Sequence, residues 1–163
     1  MPVLPHLSLV LLLAARTPAT PPTRAPIVLK TTAACSAATR EDVEEALGRS
    51  LANGREHTDA IGSTCEYVAA GGEVTITIHR STAKLNPAVE IENLKISVPG
   101  AGLRDVAGLG TRAVLLDMGG VGAQLHVMRG DYDYVLISVL GFGDAQRVSP
   151  VAEKIARVTL ERF

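Results

Sequence analysis

Residues Thr111–Gly141, TRAVLLDMGGVGAQLHVMRGDYDYVLISVLG, carry the most structural information in the chain. They predict three antiparallel strands joined by two tight turns. In the middle strand Val121, Ala123, Leu125 and Val127 alternate with Gly122, Gln124, His126 and Met128, giving one apolar and one largely polar face. Gly119-Gly120 before it and Gly130-Asp131 after it supply residues that tolerate positive φ, which two-residue hairpin turns require. The last strand, Tyr132 to Leu140, is apolar on both sides, with Tyr132, Tyr134, Leu136 and Leu140 opposed to Val135, Ile137 and Val139. Such a strand is expected to be central, or covered by a helix.

The remaining segments extend this ribbon. Thr39-Arg40-Glu41-Asp42 places a hydroxyl at an N-cap and a carboxylate three residues later; Val43, Ala46 and Leu47 then share a face, and Gly48 supplies the stop. A short capped helix follows from that spacing. Cys65–Ala69 and Glu73–Arg80 bracket Gly71-Gly72, with Val74, Ile76 and Ile78 alternating with Thr75, Thr77 and His79, which predicts a first hairpin. Pro87–Leu94 is expected to be helical, and Pro99–Gly102 breaks regular structure. At the C-terminal end Ser149 is the expected N-cap and Pro150 the first helical residue. Val151, Ile155, Val158 and Leu160 or Phe163 turn inward there, with Lys154 and Arg157 outward. The predicted fold class is therefore α+β: an antiparallel sheet of about five strands with helices packed on one face.

With 163 residues and 47% hydrophobic content the chain has material for one core. Residues 1–15 read as a signal-like apolar segment, 16–33 as a Pro/Thr-rich linker and 34–163 as a single domain. The apolar run Leu7–Ala15 is too short for an ordinary membrane-spanning helix and suits the core of an export signal, although Met1–His6 lacks the usual basic residue. Left uncleaved, residues 7–15 would be a membrane tether. Lys plus Arg (16) nearly cancel Asp plus Glu (17), and aromatics are 3% with no Trp, so neither a basic field nor a stacking platform for nucleic acid is present. The two cysteines, Cys35 and Cys65, are expected to form a disulfide, as an even pair in an exported chain usually does. Their spacing is not Cys-x-x-Cys and no His cluster accompanies them, which argues against a redox couple or metal ligands. Thr32-Ala33-Ala34-Cys35 has the small residues of a lipidation site, but a Pro/Thr stretch separates it from the apolar run.

Cys35-Ser36, Thr39-x-x-Asp42-Val43, Ala46-Leu47-Gly48, Cys65-x-Tyr67, Val74–Ile78, Gly108-x-Gly110-x-x-Ala113 and the C-terminal helix together resemble a family of small secreted proteins and lipoproteins of unknown function common in actinobacteria. The resemblance implies a disulfide-bridged α+β domain in the cell envelope, similar in outline to the Mog1p/PsbP-like fold, with no catalytic residues to carry over. The chain departs from the lipoprotein members in having no cysteine directly after its apolar run, which leaves the mode of membrane attachment open.

Candidate chemical motifs are few. Gly108-Leu109-Gly110-Thr111-Arg112-Ala113 has the form G-x-G-x-x-A, but a dinucleotide site needs a strand before it and a helix after it. Arg129-Gly130-Asp131 spells an adhesion tripeptide at a hairpin tip. Asp131 and Asp133 supply two oxygen ligands where a calcium site wants about six. His79 and His126 could meet over zinc if their strands were neighbours. His57 and Asp59 could orient a proton acceptor toward Ser63. None of these amounts to a recognisable site, and no catalytic residue, metal or cofactor is expected. The leading expectation is an exported cell-envelope domain, secreted or envelope-held, that binds a protein, lipid or cell-wall partner through one sheet face or a groove under the Pro87 helix, with no nucleic acid. The alternatives are a hydrolase with a site assembled from scattered residues, and a purely structural accessory subunit.

Overall fold

The computed structural model describes residues 32–163; the signal-like segment 1–15 and residues 16–31 of the linker lie outside the described residues. One antiparallel sheet of seven strands dominates: β1 (Arg55–Thr58), β2 (Gly62–Ala69), β3 (Gly72–Arg80), β4 (Gly102–Asp105), β5 (Arg112–Asp117), β6 (Gly122–Arg129) and β7 (Asp133–Leu140). Their order is β1-β2-β3-β7-β6-β5-β4, so the doubly apolar last strand is the central one, as its composition requires. The helices are α1 (Ala34–Ala37), α2 (Arg40–Leu47), α3 (Pro87–Ser97) and α4 (Ala145–Arg162).

The expected count of about five strands is low by two. The missing pair, β1 and β4, are four-residue edge strands with sequences REHT and GLRD, which carry no apolar alternation. Pairing to β2 and β5, not their own pattern, makes them strands. The turns also differ from expectation. After Asp117 a 3-10 turn at Gly119–Val121 leads into β6, leaving Val121 57% exposed instead of on the apolar face. Arg129 pairs with Asp133, so the second loop holds three residues and Tyr132 belongs to it, not to the strand.

The inner sheet face carries Cys65 and Tyr67, Val74, Ile76 and Ile78, Ala113 and Leu115, Ala123, Leu125 and Val127, and Val135, Ile137 and Val139, all buried. Three helices cover it. Thr39 and Asp42 close the anticipated capping box at the start of α2, and Gly48 ends the helix in the left-handed conformation. Tyr67 donates its hydroxyl to the Ala38 carbonyl at 2.8 Å, fixing α1 over β2, and burial pushes that phenol up to about 12.

The C-terminal helix begins five residues earlier than expected, at Ala145 with Asp144 as its cap. Ser149 is buried inside it and donates to the Ala145 carbonyl, and Pro150 sits in the second turn. Proline there removes one helix donor, which leaves the Gln146 carbonyl without its usual partner. The inward stripe is accordingly Val148, Ala152, Ile155, Ala156 and Thr159.

Arg162 near the end of α4 pairs with Asp42 in the first turn of α2. That guanidinium, ahead of the Thr39 hydrogen bonds, lowers the Asp42 carboxyl to about 2. Because the folded value is depressed, the contribution is present above the ordinary value of 3.8 and is lost as pH falls towards 2. Replacing Arg162 with Ala is expected to return the Asp42 midpoint to between 3 and 4 in a carboxyl-detected NMR titration. The Arg162 side of the pair is 44% exposed and screened by solvent, so stability should fall by less than about 1 kcal/mol.

The expectation that all helices share one face fails for α3. Val114, Leu116, His126 and Met128 point away from the inner core, yet each is buried. α3 lies on this outer face: Pro87, Ala88, Ile91, Glu92 and Lys95 line a groove of about 520 Å³ together with Arg112 of β5.

Candidate binding surfaces

Cys35 and Cys65 are joined, with their α-carbons 5.0 Å apart, so α1 is bonded directly to β2. Such a bridge fits an oxidising, extracytoplasmic compartment. No helix among the described residues is long and apolar enough to cross a membrane.

The other sequence candidates are dispersed. His57 faces outward on β1 opposite Thr64, whereas Ser63, paired with Ile78, belongs to the inner face. The Ser63 hydroxyl donates to Glu56 at 2.6 Å and accepts the Ala34 N–H at 3.0 Å, while Asp59 accepts the N–H groups of Ile61 and Gly62. Those three residues are thus turn and strand fixtures on opposite sides of the sheet, not a nucleophile with its base. His79 and His126 share the outer face, but β7 runs between their strands. Adjacent strands are about 4.8 Å apart, so two spacings alone part the two backbones by about 10 Å, and pairing of His79 with Tyr134 but His126 with Leu136 offsets them further along the strands. Among the described residues no group of three His, Cys, Asp or Glu side chains converges as a metal site would.

The adhesion-like tripeptide is also committed internally. Arg129 donates to the Leu160 carbonyl at 3.2 Å and to that of Phe163, and its guanidinium lies 4.4 Å from the Phe163 ring centre. Asp131 pairs with Lys84 at 3.1 Å, and Asp133 lies 3.6 Å from both Arg80 and Arg129. Gly108–Ala113 forms the loop and strand entry, with β5 rather than a helix after it.

Two surfaces have the form of binding sites. The first is the outer face around α3. His126 is only 4% exposed; its Nδ1 hydrogen-bonds the Tyr134 hydroxyl, and its Nε2 is buried with no partner among the described residues. Burial lowers this imidazole to about 4, so it is neutral at pH 7. Burial and then the charge of Glu90 push the Tyr134 phenol upward. A buried polar atom without a partner costs about 1–3 kcal/mol. The sequence hid this histidine, because strand alternation placed it on the polar side and an outer-face helix was not foreseen.

The pH consequence has a definite sign. The folded value lies below the ordinary value of 6.5, so the stabilisation is complete above that pH and is lost as pH falls towards 4. The stability of the native chain to urea should fall between pH 6.5 and 4.5 relative to that of the His126→Gln variant. Parallel pH profiles would show that burial does not hold the ring neutral.

The second surface is a groove of about 550 Å³ on the inner side, between edge strand β4 and the first turns of α4. Leu115 forms its floor; Gly102, Arg104, Asp117, Gln146, Pro150 and Glu153 surround it. Arg104 and Glu153 approach to 3.4 Å across it.

No protein-family model, curated protein or solved structure matches the chain.

Proposed function

We propose that the protein is a non-catalytic binding domain of an oxidising, extracytoplasmic compartment, secreted or held in the cell envelope, which takes its partner on the outer sheet face at α3. The observation that carries this reading is the placement of α3. Its eleven residues include none that is buried, and Val89 and Ile96, seven positions apart and hence on one side, are 50% and 69% exposed. A helix is normally retained by burying an apolar stripe. Here the stripe of Pro87, Ile91 and Leu94 is only half covered, while apolar side chains stand outward. Beneath it lies a buried floor that holds the unpartnered His126 nitrogen. A partner with an apolar surface would cover Val89 and Ile96, and displacement of α3 would bring the imidazole within its reach.

The test uses the full chain and three probes: vesicles of envelope lipid, cell-wall fragments and a fractionated envelope-protein extract. The Val89→Asp, Ile96→Asp double variant should keep the native melting temperature and lose at least tenfold in affinity for the probe that binds the native chain. Undiminished binding by that variant would remove α3 from the site and end this reading.

A further inference from the structure

We infer that the outer edge of β4, unpaired among the described residues, is a docking strand for an extended peptide of another protein, one bearing a basic side chain, which adds antiparallel as an eighth strand beside the α4 groove. The inference stands on backbone geometry and on the groove's charge, independently of α3.

Antiparallel ladders alternate between residues that bond inward and residues that bond outward. Val106 donates to the Ala113 carbonyl at 3.0 Å, which fixes the phase: Arg104 and Gly102 bond to β5, and the N–H and C=O groups of Leu103 and Asp105 face away from the sheet. An edge of this kind is a template for another strand. At the other edge, β1 presents Arg55, Glu56, His57 and Thr58, all exposed and mostly charged or titratable, the usual guard against pairing. The groove under α4 runs along β4 instead.

Side chains on the added strand would alternate like those of β4. Those opposite Gly102 and Arg104 would face α4 and enter the groove, as the inner-face position of Arg104 opposite Leu115 shows. The groove holds two carboxylates, Asp117 and Glu153, against one guanidinium, Arg104, which is already paired with Glu153. Asp117 makes no ion pair among the described residues; it accepts the Gly119 N–H at 2.7 Å. Gly102 is the direct partner of Asp117, and the space over it is open, since a Cβ there would meet only the Asp117 Cβ at 3.5 Å. A Lys or Arg opposite Gly102 can therefore cross bare backbone to reach Asp117.

A second copy of this chain is the poorer occupant. The two-fold register that keeps both outward residues of β4 within the pair, Leu103 against Asp105 of the second copy, sets Arg104 directly opposite Arg104, and like charges in that position destabilise a strand pair.

The experiment titrates the full chain with capped synthetic hexapeptides of alternating Val and Thr that carry one central Lys, Glu or Gln, read by calorimetry and amide NMR. The expected result is binding of the Lys peptide at least tenfold tighter than the Glu peptide, with shifts at Leu103, Asp105 and α4. Leu103→Pro removes an outward N–H at an edge position that tolerates proline, so it should abolish binding and leave the melting temperature within a few degrees. Asp117→Asn should erase the preference for Lys. The proposal is overturned by failure of every peptide to bind, by binding that survives Leu103→Pro, or by shifts that map to β1. Sedimentation showing a dimer that Leu103→Pro dissolves would overturn it in favour of self-pairing.

Discussion

Replacing Cys35 and Cys65 together with Ala is expected to destabilise the domain by about 3.5 kcal/mol and lower its melting temperature by roughly 10 °C. The bond closes a loop with a sequence separation of 30, and the chain-entropy model assigns that figure to a loop of such length. For a domain whose whole stability is about 5–15 kcal/mol this is a large share. Ala is the appropriate replacement because Cys65 is fully buried, where a serine hydroxyl would add its own desolvation cost. Calorimetry of the native chain, with and without reductant, gives the same comparison without mutation. A shift under 3 °C in both experiments would mean that the capping box, the Tyr67 hydrogen bond and α4 packing suffice to hold α1 and α2.

Gly122→Ala should cost about 3 kcal/mol or more, with unfolding by urea as the measurement. Gly122 opens β6 at φ 144° and ψ −148°, a conformation that is essentially confined to glycine. A Cβ there would also overlap the Val139 carbonyl oxygen and crowd the Leu140 α-carbon at 3.0 Å, both backbone atoms of the central strand. Backbone cannot step aside as a flexible side chain could, so the strain adds to the overlap. Gly120→Ala is the control: no atom lies within 4 Å of a Cβ at that neighbouring turn position, and the change should be nearly neutral. Equal effects at the two positions would show that the 3-10 turn yields to substitution.

What could be read from the residues was whatever local chemistry dictates. Alternation located β3 and β6, a run apolar on both sides located β7, and Gly71-Gly72 marked the turn between β2 and β3; Thr39 and Gly48 bracketed α2; Pro87 opened α3, which runs three residues past its expected end. Elements fixed only by partners were not legible. β1 and β4 have no apolar period, and their strand form is imposed by the neighbours they hydrogen-bond. At α4 two start signals competed. Ser149-Pro150 has the residue types of a helix entrance, yet Asp144 caps and Ala145 and Val148 are buried, so burial of an extra turn prevailed over the discomfort of an internal proline. Both candidate surfaces depend on such long-range placements. His126 needs α3 overhead and β7 alongside, and the β4 groove needs α4 to begin at Ala145, five residues before the proline.

The seam between β3 and β7 gives the domain a temporal asymmetry. Residues 72–80 must wait for 133–140 before the middle of the sheet exists, and the helix that covers it comes later still. A chain emerging from the ribosome thus carries a three-strand sheet with β3 exposed along its whole length until almost everything has been made. The sulfur bond offers no help there, because both cysteines belong to the earlier half and can couple before the halves meet. Nascent chains held unfolded until synthesis is complete would escape that open interval, and any delay between residues 80 and 133 would lengthen it.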